Sequence, residues 1–377
     1  MKIQDIELNL LESPIRMKRS QGVGSIQAAI RRVVLRIRTD EGIDGVGEAQ
    51  AWEVFSGTNE NVFHAIDRFL RPVLTGKDPR DVPARMLECD RALVANPEAK
   101  AAIEMALLDI CGKAAQLPLH ALIGGRFRER IPLSFSIANP DIHADIELAR
   151  QMMAEGHRIF KVKTGFATPA EDLRRLALLR EHLGEDFDLR IDYNQGLKPH
   201  EALRQLRQIE PFMPTFIEQP VPRDAIAAMS QLAAALDTPV MADESVFSPA
   251  EALRTVQERA ADIISIKLMK SGGILPAMKV NAIAEAAGLP CYGGTLWEGG
   301  IALAAASHFI AASPNVCLGC EFYMPRYVFV EDVLAQMTPA AAGHVQVPDG
   351  PGIGVEVDWK VVERQRIAFA GGRHAAG

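Results

Sequence analysis

No apolar run in this 377-residue chain approaches the roughly 18 residues that a bilayer-spanning helix requires. The opening Met1-Lys2-Ile3-Gln4-Asp5 lacks the apolar core of a secretory leader, so a cytoplasmic location is expected. Positive charge is outweighed, with 41 Lys+Arg against 48 Asp+Glu and a net charge of −7. A general surface for nucleic acid or an anionic membrane is therefore not expected. Cysteine is scarce. Cys317-Leu318-Gly319-Cys320 is a C-x-x-C, but no second pair or histidine cluster completes a zinc site. Pro314-Asn315-Val316 leads into a strand-like run where a redox motif would open a helix, so the cysteines read as buried and reduced.

What is present is an ordinary globular composition, 48% hydrophobic and 24% charged, in a chain long enough for a large domain and a smaller one. Residues 1–50 read as antiparallel strands: Val33 to Arg38 turns at Thr39-Asp40-Glu41-Gly42 into Ile43 to Glu48. Residues 12–25 carry Arg16, Lys18 and Arg19 among glycines. This is either a solvated connection, the preferred reading, or a lid that attracts an anion. Helical spacing follows over 58–74, 80–94 and 97–116, and Pro118, Gly124 and Gly125 then break the pattern. Strands followed by helices predict an α+β capping domain over residues 1–126. The Pro/Gly-rich stretch from Pro348 to Gly354 is expected to return the chain to that domain, with about 345–377 completing it.

From 127 to 344 short apolar runs alternate with helical segments opened by Thr168-Pro169, Lys198-Pro199 and Ser248-Pro249. Each apolar run ends on a polar residue: Lys163, Asp192, Glu218, Asp243, Lys267, Thr295 and Glu321, spaced 24 to 29 residues apart. That spacing is one βα unit, and the series predicts a modified TIM (β/α)7-8 barrel, α/β in class, with its chemistry at the strand C-terminal ends. An open doubly wound sheet is the rival, but it would not converge seven strand ends on one centre.

The run Ile159-Phe160-Lys161-Val162-Lys163-Thr164-Gly165 sets the chemistry. On a strand both lysines face the same way, in a place where a parallel strand is normally apolar, so they need anionic partners. Asp192, Glu218 and Asp243 lie on three consecutive strand ends, and three convergent anions need a cation. An oxygen-only donor set suits Mg²⁺ or Mn²⁺, and this outweighs the alternative of three independent helix caps. Lys267 would face Lys161 and Lys163 across that ion, with a lowered pKa that lets it exchange a carbon-bound proton. Glu321 could act as an acid or polarise the ligand, or be a paired structural carboxylate. The residues thus read as a metal-assisted enzyme that forms and protonates an enolate next to a carboxylate.

These motifs resemble the enolase superfamily and, within it, the muconate lactonizing enzyme subgroup. The likeness runs through Gly45-Val-Gly-Glu-Ala49, Lys161-x-Lys163, Asp192-Tyr-Asn194-Gln, Ile217-Glu-Gln-Pro220, Ala242-Asp-Glu-Ser245 and Ile266-Lys267. It implies that Asp192, Glu218 and Asp243 bind the metal, that Lys163 is the principal acid/base with Lys161 as electrostatic partner, and that Lys267 stands on the opposite face. It also implies Asn194 and Thr295 near the substrate, and specificity set by capping loops around 16–25 and 51–57. Tyr292-Gly-Gly-Thr295, Glu298-Gly-Gly300 and Cys320-Glu321 are similar to the cycloisomerases. Racemases of the mandelate type carry a His-Asp pair where Lys267 stands, and dipeptide epimerases an Asp-x-Asp that Glu321-Phe-Tyr323 lacks. One departure is Trp297, bulkier than the pattern at that loop.

The implied activity is closure of cis,cis-muconate, or a substituted muconate, to a muconolactone in aromatic catabolism. The alternatives are an N-acyl amino acid racemase or epimerase and an o-succinylbenzoate synthase on the same site, or a barrel that binds without turnover. The expected partner is a small carboxylate, with no nucleic acid and no membrane. The resemblance implies a homo-oligomer, octamers being common among relatives.

Overall fold

The computed structural model describes residues 1–16, 19–21, 24–26 and 28–372. Strands β1 (Ile3–Pro14), β2 (Ala29–Thr39) and β3 (Gly45–Ala49) form an antiparallel meander. Helix α1 (Pro97–Ala115) packs across it. The Gly45-Val-Gly47 spacing has a steric cause: a Cβ at either glycine would overlap the backbone carbonyl of Ala106 or Ala102 on α1. Alanines on the helix and glycines on the strand let the two backbones approach, a contact that larger residues would spread. Of the basic 12–25 segment, Arg19–Gln21 and Gly24–Ile26 pair as a short hairpin, while Lys18 and Gly22 lie outside the described residues.

Seven parallel strands follow: β4 (Ser134–Ile137), β5 (Ile159–Lys163), β6 (Asp188–Asp192), β7 (Phe216–Glu218), β8 (Val240–Ala242), β9 (Ile263–Ile266) and β10 (Cys291–Gly293). They are hydrogen-bonded in chain order. Crossover helices join them: α2 (Ile142–Ala154), α3 (Pro169–Leu183), α4 (Pro199–Leu206), α5 (Ile226–Ala235), α6 (Pro249–Gln257) and α7 (Ile274–Ala286), with α8 (Gly300–Ala312) following β10. The sequence start signals act as expected at two of these helices. Thr168 and Glu171 form a reciprocal capping box on α3, and the Ser248 hydroxyl accepts from Glu251 N on α6.

The two edges of this curled sheet meet at one residue. Cys320 bridges to Leu133 beside β4 and to Gly293 on β10, where an eighth full strand would otherwise be needed. Ser134 N donates to Cys320 O (2.8 Å), and Glu321 N donates to Gly293 O (3.0 Å). The architecture is thus the α/β barrel expected, with a separate antiparallel N-terminal sheet. After α8 the chain returns, and β11 (Arg366–Ala370) pairs antiparallel with β1. All five cysteines are free, but the burial expected of them fails for two, the half-buried Cys111 and the exposed Cys317. Cys317 is exposed in the turn before the closing bridge, whereas Cys320 is buried at it. Among the described residues no helix is long and apolar enough to cross a membrane.

Candidate active site

Strand register assembles the site. Lys163 on β5 is the lateral partner of Asp192 on β6, which in turn partners Glu218 on β7. Each closes its strand, so three neighbouring strands deliver an ammonium and two carboxyl groups side by side at the C-terminal edge. Asp243 and Lys267 follow the last residues of β8 and β9, and Glu321 follows the Cys320 bridge.

The charges interlock. Lys161 Nζ lies 2.6 Å from Glu218 Oε2, 2.9 Å from Glu321 Oε1 and 3.3 Å from Asp192 Oδ2. Lys163 Nζ donates to Asp192 Oδ2 and, at 3.0 Å, to Asn194 Oδ1. The two lysines therefore share a face and a carboxylate. Lys267 Nζ donates to Asp243 Oδ2 (2.5 Å) and Lys270 Nζ to Asp243 Oδ1 (2.6 Å). Asn194 joins the two groups, since its amide Nδ2 donates to Glu244 Oε1 at 3.2 Å.

Burial decides the ionisation of this cluster. It pushes Glu218 well above the usual carboxylate range, reinforced by the negative charges of Asp192 and Asp243. Burial likewise raises Glu244, to about 8, with Asp243 and Asp192 adding to it. Asp192 is held low because Lys163 and Lys161 outweigh its burial, and Asp243 is held low by Lys267 and Lys270. The lysine shifts differ from expectation. Burial opposes the charge on Lys161 and Lys267, but their carboxylate partners raise both. The expected lowering would require a cation to compete for those carboxylates; Lys270 is lowered by its burial.

The donor set is chemically suited to a hard divalent cation. Glu218 Oε1 and Glu244 Oε2 are buried without a hydrogen-bond partner, the kind of orphaned carboxyl oxygen that a bound ion satisfies. As they stand, Asp192, Glu218 and Asp243 are turned onto ammonium groups. Among the described residues no three carboxylate, imidazole or thiolate side chains are gathered tightly enough to grip an ion. Lysines supply the countercharge that the three anions require.

Above the cluster lies a cavity lined by Lys163, Lys267, Glu321, Asn194 and Thr295, together with Ser136. Trp52 and Phe55 from the loop after β3, and Leu296, Trp297, Tyr323 and Met324, form the rest of the wall. Lys161 and the three carboxylates Asp192, Glu218 and Asp243 sit beneath it. Thr295 is turned partly away, its hydroxyl engaged by the Glu298 carboxylate. Sequence reasoning missed Lys270 and Glu244; of the aromatic wall it had singled out Trp297 and the 51–57 loop, without naming Trp52 or Phe55. Lys270 stands one helical turn beyond Lys267, a spacing that could have flagged it. Nothing local marks Trp52 or Phe55, which reach the cavity only through the docking of the N-terminal sheet on the barrel.

Comparison with known proteins identifies the family. Residues 7–124 match the mandelate racemase/muconate lactonizing enzyme N-terminal domain, and residues 144–361 match the enolase C-terminal domain-like family. A crystal structure of a muconate cycloisomerase from Azorhizobium caulinodans is 49% identical, with a TM-score of 0.85, covering 97% of this chain and 98% of that one. The chloromuconate cycloisomerase CbnB of Cupriavidus necator is 34% identical over 364 residues, 95% of this chain and 97% of that protein. The crystal structure of the N-succinyl Arg/Lys racemase from Bacillus cereus is 32% identical, with a TM-score of 0.95, covering 99% and 100%.

Proposed function

This chain belongs to the mandelate racemase/muconate lactonizing enzyme family of the enolase superfamily and is an isomerase, and we propose that it closes cis,cis-muconate or a substituted muconate to a muconolactone. The carrying observation is the pairing of two lysines, Lys163 and Lys267, on one cavity above three buried strand-end carboxylates. Members of the superfamily use a divalent metal. In this reading Asp192, Glu218 and Asp243 would hold Mg²⁺ or Mn²⁺, which when bound stabilises negative charge developing on a substrate carboxylate.

The chain's own residues do the rest. One substrate carboxylate oxygen adds to the conjugated diene, forming the ring C–O bond. The displaced electron pair moves to the carbon beside the other carboxylate, giving an enolate. Lys163, as ammonium, transfers a proton to that carbon and is reprotonated from solvent. Lys161, wedged among Glu218, Glu321 and Asp192, holds positive charge next to Lys163 and offsets the mutual repulsion of those carboxylates. Asn194 fixes the Lys163 ammonium in position, and Lys267 places a second charge across the cavity.

Loss of the diene ultraviolet absorbance on adding cis,cis-muconate and Mn²⁺ tests the reading. No loss at high enzyme concentration removes it. A second reading, racemisation of an N-acyl amino acid, is favoured by Lys163 and Lys267 each lining the cavity with its own carboxylate partner, as a two-base exchange requires. Deuterium incorporation at Cα in D₂O separates the two. A cytoplasmic homo-oligomer completes the proposal, which light scattering and cell fractionation test.

A further inference from the structure

We infer that Trp297 is a specificity-determining residue: its indole, braced edge-on against Trp52, closes the cavity beside Lys267 to substrates branched away from the metal-side carboxylate. This inference rests on reading the cavity as the carboxylate-substrate site proposed above.

Three independent observations support the assignment. The first is backbone strain. Trp297 has φ +76°, a left-handed conformation that a large side chain adopts at a cost and keeps only where its surroundings over-determine it. The second is the set of restraints that impose it. Trp297 N donates to the Thr295 hydroxyl at 2.9 Å, and the buried Glu298 carboxylate accepts from both that hydroxyl and Leu296 N. Directly downstream, Gly299 N donates to Glu48 Oε1 (2.8 Å), Ala302 N to Glu48 Oε2 (3.0 Å) and Gly300 N to Asp332 Oδ2 (3.0 Å). The fully buried Arg32 contacts both carboxylates at 2.8 Å. The N-terminal sheet thus grips the start of α8 and holds the strained turn before it.

The third observation is where the indole goes. Trp297 is 8% exposed, lines the cavity, and meets Trp52 with ring centroids 6.3 Å apart at 74°. Phe55 continues the wall, its ring 4.7 Å from Lys267 Nζ. Two rigid aromatic rings meeting edge to face do not yield as a methionine would. A branch on the substrate must therefore displace an indole whose backbone is pinned on both sides. A linear six-carbon diacid presents no such branch to the indole.

Calorimetric binding of adipate and of 3-tert-butyladipate, in the presence of Mg²⁺, tests this without requiring turnover. The parent protein is expected to prefer adipate by roughly tenfold or more. Trp297→Ala is expected to bring the two within about threefold, by the same steric reasoning, with Trp297→Phe intermediate. Thermal melting of each variant shows that it is folded, and Trp297→Leu replaces Trp297→Ala if the latter is not. An unchanged preference in a folded small-residue variant overturns the inference, as does a parent with no preference or no adipate binding. Muconate turnover is followed separately. Altered preference without diene loss defeats the cycloisomerase reading and leaves this inference standing.

Discussion

Lys161 Nζ lies 2.6 Å from Glu218 Oε2 with both side chains inaccessible to solvent, so neither charge has water to fall back on. Lys161 also serves Glu321 and Asp192. Replacing it by methionine removes one cation from three anions. The expected cost in the metal-free protein is about 3–5 kcal/mol, read as a shift of the urea midpoint. A shift within experimental error would show that these carboxylates are protonated rather than paired.

Lys163→Ala is expected to fold, with some loss of melting temperature from the broken Asp192 pair, while lowering turnover by roughly two to four orders of magnitude, since the proton carrier itself is removed. Near-normal kcat in a folded variant would reassign proton transfer to another group.

Glu218→Gln separates metal binding from folding. Glu218 is pushed towards its neutral form by burial and by Asp192 and Asp243, and the amide is nearly isosteric with that form. The amide gives up the charge facing Lys161, so the metal-free variant should melt below the parent and the metal effect is read against its own metal-free form. Saturating Mg²⁺, at about 100 times the parent Kd, stabilises the parent by about 2.7 kcal/mol, and the variant should lose most of that gain. Equal stabilisation of both proteins would remove Glu218 from the ligand set.

Acid stability should depend on His308, whose Nδ1 accepts from His120 N (3.2 Å) while Nε2 faces Ile353 O (3.2 Å). Burial lowers its pKa from 6.5 to about 4, so between those values the unfolded chain binds the extra proton and the folded one does not. The folded-state advantage is complete above pH 6.5 and is lost as pH falls towards 4, by about 3 kcal/mol at the limit. His308→Gln should flatten this part of the stability profile in urea titrations from pH 4 to 7. An unchanged slope would place the acid sensitivity elsewhere.

Gly299→Ala places a methyl group on Arg32 Nη1 and against Glu48 Oε1, both fully buried. Overpacking an ion pair that cannot move aside should cost about 3 kcal/mol. A melting temperature equal to the parent's would show that the loop before α8 is looser than its hydrogen bonds imply.

Much of this architecture was legible because a barrel writes one polar residue per βα unit. Asp192 and Glu218 end strands whose other residues are buried and mostly apolar, and such an exception repeated at unit spacing is visible without coordinates. The lysine pair was legible for the same reason, since period-two geometry places Lys161 and Lys163 on one face and both reach Asp192. Glu244 was not. It directly follows Asp243, and adjacent strand residues diverge; only the turn of the chain after β8 brings it towards Asn194. Barrel closure through Cys320 was equally hidden, because a single bridging residue has no periodicity.

By itself the sequence determined the α/β class, the order of the strand ends and the oxygen-rich, lysine-facing chemistry placed on them, because these follow from local period and residue type. Tertiary structure alone decided which lysine neutralises which carboxylate, and that Trp52 meets Trp297 over the cavity. It also decided that Arg32, Glu48 and Asp332, 300 residues apart at the extremes, clamp one turn. Such pairings depend on strand register and on the docking of one sheet against a barrel, where contact is set by distance in space rather than along the chain.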